Sequence, residues 1–120
     1  MPKHQLDYAW RTATGRVRMR NEDAVSVYPD TGLVVIADGI GGASAGDVAS
    51  SLAIQAVSEH FHVGRSLPVD KEDALQRAEE AVETANRAIW DSAQITPRCA
   101  GMGTTVVVGY AAADWLVFAH

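Results

Sequence analysis

The spacing of apolar residues divides the chain into a strand-forming front, a helical middle and a strand-forming end. LDYAWRTAT (6–14) reads as a strand that stops at Gly15. AVSVY (24–28) alternates, PDTG (29–32) carries turn residues and LVVIA (33–37) follows, which predicts a strand–turn–strand hairpin. LVVIA is apolar at every position, so the expectation is a central strand covered on both faces.

The middle predicts two helices. From Ser44, a candidate N-cap with Asp47 three residues on, Ala45, Val48, Ala49, Leu52, Ala53, Ala56 and Val57 recur at three-and-four spacing, with Gly64 beyond the end. A second helix starts at or just after Asp70, with acids in its first turn. Its apolar positions are Ala74, Leu75, Ala78, Val82, Ala85, Ile89 and Trp90, and Glu72, Arg77, Glu80, Glu83 and Arg87 form a solvated face. TTVVVGY (104–110) and DWLVFAH (114–120) then predict a second hairpin turning at AAAD. The last apolar strand stops at His120, so the chain is expected to be truncated there, part of one domain rather than a whole one.

Composition narrows the function more than the fold. With 120 residues there is room for one domain. A net charge of −5 offers no positive field for nucleic acid or anionic membrane. Cys99 is the single cysteine, which excludes an internal disulfide and fits a reducing compartment. No apolar run reaches the ~20 residues of a membrane span, and the N-terminus lacks a signal-peptide core, so a cytoplasmic domain is expected.

Three clusters could carry chemistry: GRVRMRNED (15–23), ADGIGG (37–42) and GMGTT (101–105). In an extended segment Arg16, Arg18 and Arg20 share one side, just upstream of Glu22 and Asp23. Asp38 ends an apolar strand, where a carboxylate is costly unless solvated, paired or bound to a cation. Glycines 39, 41 and 42 clear side chains from around it, and a carboxylate beside a glycine carbonyl is half of a site for a hard divalent cation. An ordinary turn acid is the plain alternative. GIGGAS also approaches a dinucleotide-binding glycine loop, but Ser44 replaces the third glycine and Asp38 would repel a pyrophosphate.

Taken in order, Arg18, Glu22-Asp23, Asp38-Gly39 and Gly103-Thr104-Thr105 resemble the PP2C, or PPM, family of metal-dependent serine/threonine protein phosphatases, bacterial type. The resemblance runs from Asp7 to His120. It implies an α+β fold, an α/β/β/α sandwich of antiparallel sheets flanked by helices, of which this chain is the N-terminal part. It further implies two Mn²⁺ or Mg²⁺ ions bridged by Asp38, with the Gly39 carbonyl on one of them. Glu22 and Asp23 would contact the ions or their waters, and Arg18 would grip the substrate phosphate. Hydrolysis would be direct, without a covalent phosphoenzyme. Thr104 and Thr105 are expected in the structural core. Some members carry a histidine after Asp-Gly where this chain has Ile40, so the leaving group would be protonated by water or another residue. The family's downstream Val-Gly-Asp-Ser-Arg-like segment and later aspartates have no counterpart here.

Two hypotheses follow. The chain is either the front of an enzyme that dephosphorylates phosphoserine and phosphothreonine in proteins, opposing a serine/threonine kinase, or a degenerate module that binds phosphoprotein without turnover. His4, His60, His62 and His120 fit neither role and are read as surface or terminal residues.

Overall fold

The computed structural model describes residues 6–42, 45–61, 66–112 and 114–120. The expected N-cap Ser44, the stop at Gly64, and His4 and His62 lie outside the described residues. The elements run β1 (Asp23–Tyr28), β2 (Leu33–Ile40), α1 (Ala45–Phe61), α2 (Lys71–Ile95), a short 3-10 turn (Pro97–Cys99), β3 (Gly103–Thr104), β4 (Val107–Ala111) and β5 (Leu116–Ala119). The sheet is antiparallel throughout, ordered β1-β2-β4-β5, with β3 pairing the far end of β2.

The first hairpin forms where the turn residues place it. Gly32 has φ 86°, a left-handed conformation glycine adopts without strain, and the Thr31 and Gly32 amides donate to the Tyr28 carbonyl. Residues 6–14, expected as a strand, are irregular and mostly exposed. Among the described residues they pair with no strand, and Gly15 opens a turn instead.

Both helices lie on one face of the sheet. Leu33, Val35, Val108 and Tyr110 meet Val57 and Phe61 of α1 and Ala74, Ala78 and Ala81 of α2 in one buried cluster. Phe61 and Tyr110 stack at a centroid distance of 5.4 Å. The small residues along α2 let it come close, since alanine holds a helix against its neighbour with little side-chain volume. Leu75 and Trp90, expected on the buried face, are exposed instead. β1 is tied to α1 by a hydroxyl pair: Ser58 donates to the Ile54 carbonyl, so the Tyr28 hydroxyl, 2.7 Å away, donates to Ser58.

β2 is central but covered on one side only. Its residues alternate buried and exposed, and Ile36 is 52% exposed. The cross-strand register continues the open face through Val107, Gly109 and Phe118, the last 62% exposed. An unbroken apolar run therefore marks a strand with two apolar faces, of which α1 and α2 cover one.

The second helix starts at the expected place. The Asp70 side chain accepts the Asp73 amide at 2.8 Å, and the Asp73 carboxylate in turn accepts the Val69 amide at 3.0 Å. Arg77, expected on the solvated face, is instead largely covered. It forms a forked pair with Asp73 and donates to the Ser66 carbonyl, fastening the helix start to the preceding segment. This pairing, with the Val69 amide, holds the Asp73 carboxyl below its ordinary pKa. Asp70→Ala should lower stability by about 1 kcal/mol, the usual worth of an N-cap, while Asp70→Asn should lose little. Urea denaturation followed by circular dichroism measures both.

Candidate functional site

The candidate residues gather where β1 begins and β2 nears its end. β2 runs two residues past Asp38, so the acid lies within the strand, exposed on the open face of the sheet. Asp38 is paired with Asp23, the first residue of β1. The Gly39 amide donates to the Glu22 carbonyl at 3.1 Å, which makes 39 and 22 the hydrogen-bonded pair of that ladder. Asp38 and Asp23 are then the non-hydrogen-bonded pair, the register in which facing side chains approach most closely.

Two carboxylates at that spacing disturb each other. The Asp23 pKa is raised from its ordinary 3.8 first by partial withdrawal from water, then by the hydrogen bond and negative charge of the facing Asp38. Glu22 adds to the rise, and the positive charge of Arg18 opposes it. Asp23, Asp38, Glu22 and Arg18 therefore share one electrostatic neighbourhood. Asn21 shapes its entrance: its side-chain carbonyl accepts the Asp23 amide at 3.1 Å, and its amide donates to the Thr12 hydroxyl at 2.6 Å. That is an Asx turn, which short polar side chains form readily.

Two glycines let the start of α1 close on this neighbourhood. A Cβ on Gly39 would fall on the Gly46 carbonyl, and one on Gly46 would lie 2.7 Å from the Glu22 carboxylate. The Glu22 side chain thus rests against the first turn of α1, where the helix dipole favours negative charge. Arg20 pairs with Asp47 of the same turn at 3.7 Å. Arg16, Arg18 and Arg20 do not line one side of an extended segment, because residues 15–17 form a turn and 19–20 a bend. Arg18 remains exposed beside Asp23.

The strand expected over 104–110 is divided at Thr105 and Val106, between β3 and β4. Its register on β2 does not slip across the break: Ile36 faces Val107 and Gly39 faces Thr104, with two residues between on each side. The Asp38 amide donates to the Thr105 hydroxyl at 3.1 Å, and the Thr105 amide donates to the Asp38 carbonyl at 2.9 Å. Thr105 is exposed rather than in the core.

The structure brings the expected Arg18, Glu22, Asp23, Asp38 and Gly39 near one another. Asn21, Gly46, Asp47 and Thr105, not singled out for the site in the sequence, border them. A glycine in the first turn of a helix was the available signal for Gly46, since it has no reason to be there unless something needs the space. His60 is no part of the site; its Nδ1 lies 2.9 Å from the Ala56 carbonyl of its own helix.

The oxygen atoms of Asp38, Asp23, Glu22 and the Gly39 carbonyl are of the hard kind that divalent cations prefer. Among the described residues, no three His, Cys, Asp or Glu side chains are grouped as a metal site. The donor set therefore fits part of a site for such an ion. No helix among the described residues is long and apolar enough to cross a membrane.

Comparison with known proteins agrees with this arrangement. Residues 13–120 match the family described as Protein phosphatase 2C. The chain is 39% identical over 115 residues to the serine/threonine protein phosphatase PstP of Mycobacterium tuberculosis, covering 96% of this chain and 21% of that protein. It is 32% identical over 114 residues to the serine/threonine phosphatase stp of Listeria innocua, covering 92% of this chain and 45% of that protein. The crystal structure of the PstP catalytic domain with two manganese ions superposes with a TM-score of 0.77 at 34% identity, over 90% of this chain and 44% of that one. The chain thus spans less than half the length of these relatives. Over that span fold and sequence agree, and the chain belongs to the protein phosphatase 2C family.

Proposed function

We propose that this chain supplies the N-terminal part of a PP2C-like phosphatase domain, and that the whole domain hydrolyses phosphoserine and phosphothreonine in proteins using two Mn²⁺ or Mg²⁺ ions. The observation that carries the reading is the close pairing of Asp23 with Asp38, two acids facing each other with Glu22 beside them. A cation between such acids relieves their repulsion, and the relative holding two manganese ions is built on the same fold.

Each residue has a defined part. Asp38 would bridge the ions, and the Gly39 carbonyl would bind one of them. Glu22 and Asp23 would hold the ions or their waters, with Glu22 steadied against the α1 start. Arg18 would take the substrate phosphate in its planar fork, which matches two oxygens at once. When bound, the ions supply an acidified water and neutralise charge on the phosphate. Ile40, exposed beside the site, cannot give a proton to the leaving oxygen, so that proton would come from water or another residue. The substrates would be phosphoproteins made by a serine/threonine kinase, in the cytoplasm.

A second reading rests on the incomplete donor set among the described residues: a module that binds phosphoprotein through Arg18 without turnover. Hydrolysis of p-nitrophenyl phosphate by the full-length gene product separates the two. Turnover should require Mn²⁺, stop with EDTA and fall to background in Asp38→Asn. Arg18→Ala should lower kcat/KM by about 10- to 100-fold, the worth of losing charge-assisted hydrogen bonds to phosphate. A folded protein with no turnover would favour the binding module, and turnover that survives Asp38→Asn would refute the site.

The acid pair also makes a statement about pH. A carboxyl whose folded pKa lies above its unfolded value holds its proton more tightly when folded. Its contribution is most favourable below the ordinary 3.8 and is lost as pH rises through the raised folded value. Metal-free Asp23→Asn should therefore resist urea better than wild type at neutral pH, and the advantage should vanish in acid. Urea midpoints measured across that range test this, and equal midpoints at neutral pH would count against a repulsive pair.

A further inference from the structure

The antiparallel ladder leaves Asp38 with one backbone neighbour. Its side chain faces Asp23 as a non-hydrogen-bonded pair, so its amide and carbonyl both point away from β1 and toward Thr105. In a regular ladder the Asp38 amide would donate to the Thr105 carbonyl. Here the hydroxyl of Thr105 takes that hydrogen at 3.1 Å, while its carbonyl accepts the Thr104 hydroxyl at 2.7 Å. The substitution coincides with the break between β3 and β4, although the register on either side is unbroken. A side chain has thus replaced a main-chain acceptor at the residue opposite the acid.

We infer that Thr105 is a positioning residue, whose hydroxyl and amide hold the Asp38 peptide in the attitude its carboxylate needs to bind a divalent cation. The inference rests on the reading of Asp38 as a metal ligand. It assigns the second threonine of Gly103-Thr104-Thr105 a task at the site rather than in the core. Because Thr105 is exposed, water can satisfy the Asp38 amide if the hydroxyl is removed. The loss therefore falls on placement of the carboxylate and little on folding.

The test uses the isotope-labelled full-length gene product, titrated with Mn²⁺ alone and read by paramagnetic broadening of the Asp38 and Gly39 amide signals. Thr105→Val should weaken binding by about 10-fold or more, the usual effect of removing a group that orients a ligand, and Thr105→Ser should stay within about twofold of wild type. Melting temperatures of the metal-free proteins should stay close together. A threonine with a purely structural task would move the melting temperature and leave the Mn²⁺ dependence unchanged, which would overturn the inference. It would also be overturned if Thr105→Val bound Mn²⁺ like wild type while Asp38→Asn did not bind. If the valine variant fails to fold, a serine variant that folds but binds weakly refutes the proposal by itself. Broadening that is absent in wild type, or that persists in Asp38→Asn, would instead sink the metal reading on which it stands.

Discussion

Two like charges placed face to face organise this molecule's chemistry. The register that puts Asp23 opposite Asp38 is not a local accident that could relax, because the hairpin turn at Gly32 and five further residue pairs hold it. Sliding the strands by one residue would turn every apolar side chain of β2 to the wrong face. The core therefore enforces a contact that the acids, left to themselves, would avoid. That is how a fold can store an electrostatic demand: the stabilising burial of Leu33, Val35 and Ala37 lies on the opposite side of the strand from the repulsion.

The helix α1 completes the constraint from the covered side. Gly39 and Gly46 make contact because neither has a Cβ, and the Glu22 carboxylate sits in the space Gly46 leaves. The third acid is thereby held by a helix terminus, whose partial positive charge offsets part of its own. Glu22 and Asp23 are neighbours in sequence but meet different surroundings. One leans on the helix dipole, and the other faces another carboxylate.

Much of this was legible in the sequence, and the failures have physical causes. The PDTG turn, the Asp70 start of α2 and the antiparallel hairpins depend on local chemistry, and each formed where its residues placed it. The ordered motifs also named Arg18, Glu22, Asp23, Asp38 and Gly39, which lie near one another in the fold. Residues 6–14 read as a strand only because strand propensity is weak evidence without a partner, and they find none. The apolar run LVVIA signalled two apolar faces but could not say whether both were covered. Arg77 looked like helix surface, yet a forked pair with Asp73 and a bond to Ser66 draw it in; tertiary contact outweighed the helical pattern. Thr105, within the GMGTT cluster, read as core because its hydroxyl meets an amide 67 positions away in the chain, a contact that no local pattern shows.

The open face and the acid pair cannot be understood separately. Ile36 and Asp38 project from the same side of β2, and Val107 and Phe118 extend that side across β4 and β5. An apolar surface of this kind favours removal from water, at roughly 25 cal/mol for each Å². Any layer that covered it would also bring low-dielectric material up to the edge where Asp23 and Asp38 stand. Their repulsion would then rise, because charges interact more strongly when water is excluded. Covering the apolar face and neutralising the acids are therefore coupled steps: the first makes the second more necessary. A divalent cation answers both, since its charge offsets the acids and its oxygen ligands can be drawn from two layers at once. With such an ion bound, the hydrophobic effect and metal binding, opposed in most contexts, would act in the same direction.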